Sequence, residues 1–334
     1  MSPLADALGR PLETLRVSIT DRCNFRCVYC MPKEFFGRDH AFLERKELLS
    51  LEEIARVVSV FASLGVRTVR ITGGEPLMRR NVEHLVKLVG AIPGLELALT
   101  TNGAALASKA EPLARAGLDR VNVSLDSVDD ATFRALNDVD FPVARVLAGI
   151  DAAAAAGLQV KINAVVKRGV NENGILELAA RFRGTGHVLR FIEYMDVGGT
   201  NDWRLDDVVP AAEIVTRLGA VWPLEKLPST RADTTAQRFR YLDGGGEIGL
   251  IASVTEPFCG GCSRARLSAE GRLHTCLFAS RGHDLRALLR SGASDEELAQ
   301  AVRTIWQGRD DRYSQRRTAR TATQPKVEMS YIGG

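Results

Sequence analysis

The chain has no apolar run long enough to cross a bilayer as a helix; its longest bland stretch, DAAAAAGL, is short and alanine-rich. Its opening residues, MSPLADALGRPLETL, lack the basic segment and apolar core of a secretory signal, so a cytoplasmic location is expected. Neither charge dominates. Lys and Arg total 44 against 41 Asp and Glu, a formal net charge of +3, which argues against a nucleic-acid coat or a membrane-surface binder. The 5 histidines are scattered and none joins a metal-ligand pattern. Cysteine is scarce at 6 residues, an even count that could suggest disulfides, but a large cytosolic chain is a poor place for them.

The placement of those cysteines is the strongest local signal. They form two triplets, Cys23/Cys27/Cys30 and Cys259/Cys262/Cys276, with none elsewhere. The rest is ordinary: 334 residues, 45% hydrophobic and 25% charged, enough for one large soluble domain or a domain with an appendage.

Between residues 13 and 220, short β-branched runs alternate with helical stretches. Strands are predicted over 14–20, 68–72, 95–100, 120–125, 158–166 and 188–195. Helices are predicted over 50–65, 81–91, 105–116, 143–156, 173–183 and 210–218. The first is explicit, with Leu51, Ile54, Val57, Val58, Phe61 and Leu64 at helical spacing and Ser50 placed to cap. Gly65, Gly117, Gly157 and Gly219 read as stops. Strand–helix units in series predict a parallel sheet with right-handed crossovers. The units counted here are too few for a closed eight-fold barrel, leaving a partial barrel or a doubly wound sheet.

Polar and glycine-rich residues follow each strand: the first cysteine loop, GGEP (73–76), TNG (101–103), SLDS (124–127) and EYMD (193–196), with Lys161 and Asn163 on the fifth strand. Ligands of parallel α/β folds bind at that edge. The pattern breaks near residue 222, giving an expected first domain of 1–222 and a second of 223–334. The second should hold two strands around a glycine turn (238–253), a hairpin turning at Glu270-Gly271 and helices over 283–290 and 294–307. The end of the chain, with Arg309, Arg312, Arg316, Arg317 and Arg320, reads as a solvated arm.

A structural zinc site closes with four ligands, and only His40 lies anywhere near the first triplet. A four-iron cluster takes thiolates at this tight spacing, and three of them leave one iron open to a small chelating molecule. The C-x2-C-x13-C spacing of the second triplet makes the same offer.

C-x3-C-x2-C directly after a first strand, Tyr29 before the last cysteine, and GGEP after the second strand resemble the radical S-adenosylmethionine (SAM) enzymes. The resemblance implies a partial (β/α)6 barrel whose 4Fe-4S cluster binds SAM and cleaves it to a 5′-deoxyadenosyl radical. FCGGCSRARLSAEGRLHTCLF (258–278), with MSYIGG at the C-terminus, resembles one subgroup, the lyases that open molybdenum cofactor biosynthesis by cyclising GTP. That likeness runs from Leu15 to Gly334.

The likeness implies that Cys23, Cys27 and Cys30 hold the first cluster, and that Tyr29, Gly74, Ser124 and Met195 contact SAM with Glu75 and Asn163 as helpers. It implies a C-terminal α+β extension in which Cys259, Cys262 and Cys276 hold a second 4Fe-4S cluster that takes the guanine. Arg16, Arg70, Thr101, Lys161, Arg264 and Arg266 would hold the nucleotide, joined by Arg190. Arg264, Arg266, Gly333 and Gly334 would serve catalysis, the glycine tail by inserting into the barrel. The implied reaction removes the ribose 3′ hydrogen and joins C3′ to guanine C8. Implied partners are a flavodoxin or ferredoxin as electron donor, the downstream cyclic pyranopterin monophosphate synthase and a second copy of the chain; no nucleic acid or membrane is among them.

The residues themselves allow blander readings. Asp126 is as well placed to cap a helix, Met195 to fill a core, and Arg70 or Arg190 to pair with a neighbouring carboxylate. A triphosphate nonetheless needs convergent Arg and Lys, and Arg264 and Arg266 alternate along one strand and so share a face. Arg16 and Lys161 can both face a barrel lumen. A peptide-modifying radical enzyme with an auxiliary cluster and a non-catalytic zinc-stabilised protein are the alternatives.

Overall fold

Burial alternates along the first strand, β1 (Thr14–Ser18): Leu15 and Val17 are fully buried in the hydrophobic core, while Arg16 is only half-buried. The same alternation recurs in β2 (Thr68–Thr72), β5 (Gln159–Val166) and β6 (Val188–Glu193), and β3 (Glu96–Thr101) and β4 (Arg120–Ser124) complete the series. One face of each strand lies under helices and the other faces a lumen. The computed structural model describes residues 4–229, 235–318 and 324–333.

Strands β1 to β6 pair in chain order, all parallel, with Arg16 opposite Arg70 and Asn163 opposite Arg190. The covering helices are α1 (Leu51–Ser63), α2 (Val82–Gly90), α3 (Leu106–Arg115), α4 (Asp130–Asn137), α5 (Val143–Ala155), α6 (Ile175–Phe182) and α7 (Ala211–Gly219). Ser50 closes a capping box with Glu53 at the start of α1. Gly65, Gly117 and Gly157 take positive φ as helix stops, whereas Gly219 is itself helical.

Both edges of this six-strand sheet are covered by the C-terminal part of the chain. On one side β9 (Glu247–Ile251) runs parallel to β6 and carries β8 (Gln237–Tyr241) and β7 (Leu224–Lys226) outward. On the other, β10 (Arg264–Leu267) runs parallel to β1 and carries β11 (Arg272–His274) and β12 (His283–Asp284). The result is one open 12-stranded sheet, ordered β12-β11-β10-β1-β2-β3-β4-β5-β6-β9-β8-β7. Helices α8 (Leu285–Arg290), α9 (Asp295–Gln307) and α10 (Met329–Ile332) complete the described residues.

The partial barrel with a C-terminal α+β extension is present, with differences in detail; among them, the expected helix over 283–290 begins only at Leu285, after the short strand β12. Helix α4 was not foreseen; it is short, with Phe133 and Leu136 as its main apolar residues and Asp129 as its cap. Strands β1 and β6 stop at Ser18 and Glu193, earlier than the β-branched runs suggest, because Thr20 and Met195 already belong to the loops that line the lumen mouth. The solvated-arm reading fails for Arg309 and Arg317, which are buried against Asp6 and Asp196. Arg312 and Arg316 are exposed as expected, and Arg320 lies outside the described residues.

The edge pairing predicts that residues 1–222 do not stand alone. Cut there, the sheet presents bare strands at β1 and β6, and bare edges recruit other chains. Expressed alone, this segment is expected in the void volume on size exclusion, and the full chain in a defined peak; a defined peak for the fragment would show the edges tolerable.

Candidate functional site

One cavity lies within the sheet, lined by all six cysteines together with Tyr29, Gly74, Ser124, Asn163 and Met195. Arg16, Arg70, Arg190, Arg264 and Arg266 line it as well. Loops from both edges of the sheet therefore meet over the lumen.

The first triplet sits on the loop after β1, where Cys27 O accepts from the amides of Cys30 and Met31 at 2.9 Å. Cys23 Sγ accepts from Phe25 N at 3.4 Å and Asn102 Nδ2 at 3.8 Å. None of the six cysteines is in a disulfide. Burial pushes the Cys23 thiol up to about 11 and raises Cys27 and Cys30 well above the ordinary value, mutual repulsion adding to the effect. Thiolates become stable there only beside added positive charge, which a metal centre supplies. Among the described residues no three His, Cys, Asp or Glu side chains gather tightly enough for a single ion. Three thiols around a shared space fit a cluster, whose irons each take one thiolate.

The GGEP segment is more than a turn. Gly74 N and Glu75 N each donate at 2.8 Å, to Thr20 O and Arg22 O, and a side chain at Gly74 would collide with the Arg22 carbonyl. Glu75 is buried, and its carboxylate accepts from Leu77 N at 2.9 Å, Asn102 N at 2.7 Å and Thr101 Oγ1 at 2.8 Å. Burial lifts it to about 7. Thr101 lines the cavity, yet its proton is committed to Glu75.

Asp126 does not cap a helix. Its Oδ2 accepts the phenol of Tyr29 and its Oδ1 accepts Val165 N at 2.8 Å, which fixes the Tyr29 ring beside the cysteines. Burial raises Asp126 to about 6. The aspartate next to Tyr29 was visible in SLDS, but its partner is 97 residues away in the chain.

The arginines form the second half of the site. Arg16 stands opposite both Arg70 and Arg266 in the sheet register. Burial first, then repulsion from neighbouring arginines (Arg120 in the case of Arg190), lowers Arg70 to about 9 and Arg190 and Arg266 to about 10, and brings Arg16 well below its usual value. Guanidinium remains charged under such shifts at neutral pH. Pairing with carboxylates does not occur: among the described residues Arg190 Nη2 donates to Asn122 Oδ1 at 2.8 Å, and the buried Nε of Arg16, Arg70 and Arg190 lacks any partner. Buried, unsatisfied cationic donors lining a cavity call for an anion.

Lys161 does not reach the cavity wall. It is half-buried on β5, on the strand face that Asn163 and Val165 present to the cavity, and burial followed by repulsion from Arg120 and Arg190 lowers it to about 8.

Cys259 and Cys262 of the second triplet precede β10, and Cys276 follows β11. Arg264 Nη2 donates to Cys262 Sγ at 3.2 Å. Burial opposes ionisation of Cys262, but Arg264 and Arg309 outweigh it and hold the thiol down to about 6. Cys276 is pushed up to about 11 by burial and Asp311. Arg266 Nη1 donates to Gly333 O, and Gly333, at φ 76°, has no room for a side chain against Thr72. Gly334 lies outside the described residues. Asn122 and Arg309 were missed by sequence reading, since both work through residues far along the chain.

A family model of the radical SAM superfamily matches residues 17–182, and one described as Molybdenum Cofactor Synthesis C matches residues 187–315. A GTP 3′,8-cyclase of Acidothermus cellulolyticus is 52% identical, covering 99% of this chain and 99% of the relative. One from Xanthomonas axonopodis pv. citri is 49% identical over 100% and 99%, and one from Staphylococcus aureus 45% identical over 99% of each. Streptococcus suis SuiB bound to S-adenosylmethionine shares the fold, with a TM-score of 0.62 over 88% of this chain and 68% of that chain, at 16% identity.

The charge arrangement predicts a pH dependence. A polyanion in the lumen favours protonated Lys161, whose value of about 8 in the free protein is then raised, so binding takes up a proton above that pH. Affinity for inorganic tripolyphosphate is expected to fall about tenfold between roughly pH 7 and 9. Isothermal titration across that range checks it, and a flat profile would take Lys161 out of anion binding.

Proposed function

The chain belongs to the GTP 3′,8-cyclase family of the radical SAM superfamily, and we propose that this cavity converts GTP to (8S)-3′,8-cyclo-7,8-dihydroguanosine 5′-triphosphate, opening molybdenum cofactor biosynthesis. The observation that carries the reading is two cysteine triplets facing one lumen whose arginines have no carboxylate partner among the described residues.

Membership implies one 4Fe-4S cluster with SAM, and Cys23, Cys27 and Cys30 would hold that cluster. When bound, the pair supplies a 5′-deoxyadenosyl radical able to remove a hydrogen atom from carbon. Tyr29, Gly74, Ser124 and Met195 would border SAM with Asn163, and Glu75 would help by holding Thr101 and Asn102 in place. In this division residues 1–222 generate the radical and residues 223–334 present the base.

Arg16, Arg70 and Arg190 would clasp the triphosphate, with Lys161 adding charge and Thr101 lining the wall. Cys259, Cys262 and Cys276 would hold a second four-iron cluster, which would supply a Lewis-acid position for the base. Arg264 and Arg266 stand between that triplet and the phosphate arginines, and the Gly333 carbonyl aims Arg266. Gly334 would extend the same contact.

The atoms balance simply. The C3′–H bond breaks, its hydrogen going to 5′-deoxyadenosine, and C3′ bonds to C8. The unpaired electron left in the imidazole ring is quenched by one electron and one proton, so the product is an isomer of GTP. Phe258 and Phe278 line the cavity beside the second triplet and help exclude water. The electron would come from a flavodoxin or ferredoxin, and the product would pass to a cyclic pyranopterin monophosphate synthase. The same reading puts the chain in the cytoplasm as a homodimer.

A lumen whose arginines have no carboxylate partner among the described residues suits a polyanion rather than a peptide, and a lone zinc has no three-ligand group to hold it among those residues.

Anaerobic reconstitution with iron and sulfide, followed by dithionite, SAM and GTP, is expected to yield 5′-deoxyadenosine and a GTP isomer of unchanged mass on mass spectrometry. Deoxyadenosine formed with GTP untouched would sink the substrate assignment. Cys276→Ala is expected to abolish the isomer while SAM cleavage stays measurable; cyclisation retained in that variant removes the second triplet from the reaction.

A further inference from the structure

Packed against the second triplet lies a cluster of charge built on Asp6, Arg10 and Arg309, of which Arg309 also lines the cavity. Asp6, near the start of the chain, and Arg10 and Arg309 have side chains 0%, 2% and 1% exposed. Asp6 Oδ2 accepts from Arg10 Nε at 2.6 Å and from Arg309 Nη1 at 3.1 Å, so one carboxylate holds two guanidiniums. Asp6 Oδ1 accepts from the amides of Leu8 and Arg10, both at 2.9 Å, which folds residues 6–10 into a tight turn around the acid. Trp306 covers the cluster, its Nε1 donating to Arg10 O and its ring lying 4.5 Å below Arg309.

Both guanidiniums then reach the backbone of the cysteine loop. Arg10 Nη1 donates to Cys259 O at 2.9 Å and to Asp311 O at 2.7 Å. Arg309 Nη1 donates to Cys262 O at 2.7 Å. The third cysteine is tied in one step further along: Thr275 Oγ1 donates to Asp311 Oδ2 at 2.6 Å, and that carboxylate lies 3.6 Å from Arg309 Nε. Every cysteine of the triplet is thus anchored, directly or through its neighbour, to a single buried acid more than two hundred residues away in the chain.

We propose that Asp6, Arg10 and Arg309 are positioning residues for the second cluster: a buried clamp that sets the spacing of Cys259, Cys262 and Cys276 by holding the loop carbonyls. The proposal rests on the reading that this triplet holds a cluster. A cluster accepts only a narrow spacing of its thiolates, and partners behind the ligands commonly matter about 10–100-fold for metal affinity. The clamp explains why a segment before the first strand, remote from the first triplet, is buried so thoroughly. Asp6 is the keystone, because its loss leaves two buried guanidiniums repelling each other with nothing to share.

The test uses the full chain with one triplet replaced at a time. In a Cys23→Ser/Cys27→Ser/Cys30→Ser background only the second cluster forms, and in a Cys259→Ser/Cys262→Ser/Cys276→Ser background only the first. Asp6→Asn is introduced into each, and the rate at which an iron chelator bleaches the cluster is followed by absorbance, with thermal melting alongside. The expected result is stripping of the second cluster about tenfold faster or more, with the first cluster's rate unchanged. Equal rates, or equal acceleration of both clusters, overturns the clamp. Should Asp6→Asn fail to fold, Arg309→Met, which keeps much of the side-chain length but removes the Nη1 donor shared by Asp6 and Cys262 O, must show the same selectivity. A first-triplet variant that takes up no iron at all overturns the two-cluster reading itself, and the clamp with it; iron present but unaffected overturns the clamp alone.

Discussion

The constraint on which the structure turns is a crowd of like charges inside a sheet. Arg16, Arg70, Arg190, Arg264 and Arg266 all line one lumen, and Arg16 faces two of the others across adjacent strands. Taking a guanidinium out of water costs several kcal/mol even after relaxation, and neighbours of the same sign add to it. A protein keeps such an arrangement when the missing negative charge arrives from outside. Under the function proposed above, that charge would come from thiolate-held clusters and a triphosphate sharing the lumen.

The sheet explains how the crowd is assembled. Three of these arginines come from strands β1, β2 and β6 of the barrel, and two from β10, which pairs with β1 though it lies about 250 residues later. An appended domain stacked against a finished barrel could not interleave charges at this spacing. By adding its strands to both open edges, the C-terminal part turns a six-strand arc into a surround. Those edges would otherwise be bare, so the pairing that completes the site also removes an aggregation hazard.

Much of this was legible in the residues. The strand–helix series announces the barrel because parallel strands buried under helices need unbroken β-branched runs, and helix α1 declares itself through Ser50 and its apolar stripe. The two cysteine triplets stand out because nothing else in the chain resembles them. What stayed hidden was whatever depends on a partner distant in sequence. Nothing near Asp126 names Tyr29, and nothing near Arg317 names Asp196, so an aspartate after a strand reads as a cap and an arginine in a polar tail reads as solvated. Lys161 adds a different case: it shares the face of β5 that Asn163 and Val165 present to the cavity without being among the lining residues, because position along the lumen depends on the stagger between strands, which periodicity does not carry.

The last stretch of chain shows why buried acids matter more here for placement than for stability. Asp196, 1% exposed, directly follows Met195 at the end of β6 and accepts from Tyr313 Oη at 2.5 Å, Arg317 Nε at 2.8 Å and Lys326 Nζ at 3.0 Å. Burial alone would raise its affinity for a proton, yet those partners hold it below the usual carboxylate range. Apolar groups of similar size could often fill such a hub at no loss of stability, but they would not dictate which segments meet there. With three C-terminal residues fastened to the strand end and Glu328 fastened to Gly199 N at 2.9 Å, the chain has only a short span left before Gly333. That span delivers a glycine, too small to clash with Thr72, to Arg266 at the centre of the charged lumen. A tail of small residues would be useless as a contact if it were loose; anchored this close to its end, it becomes part of the wall.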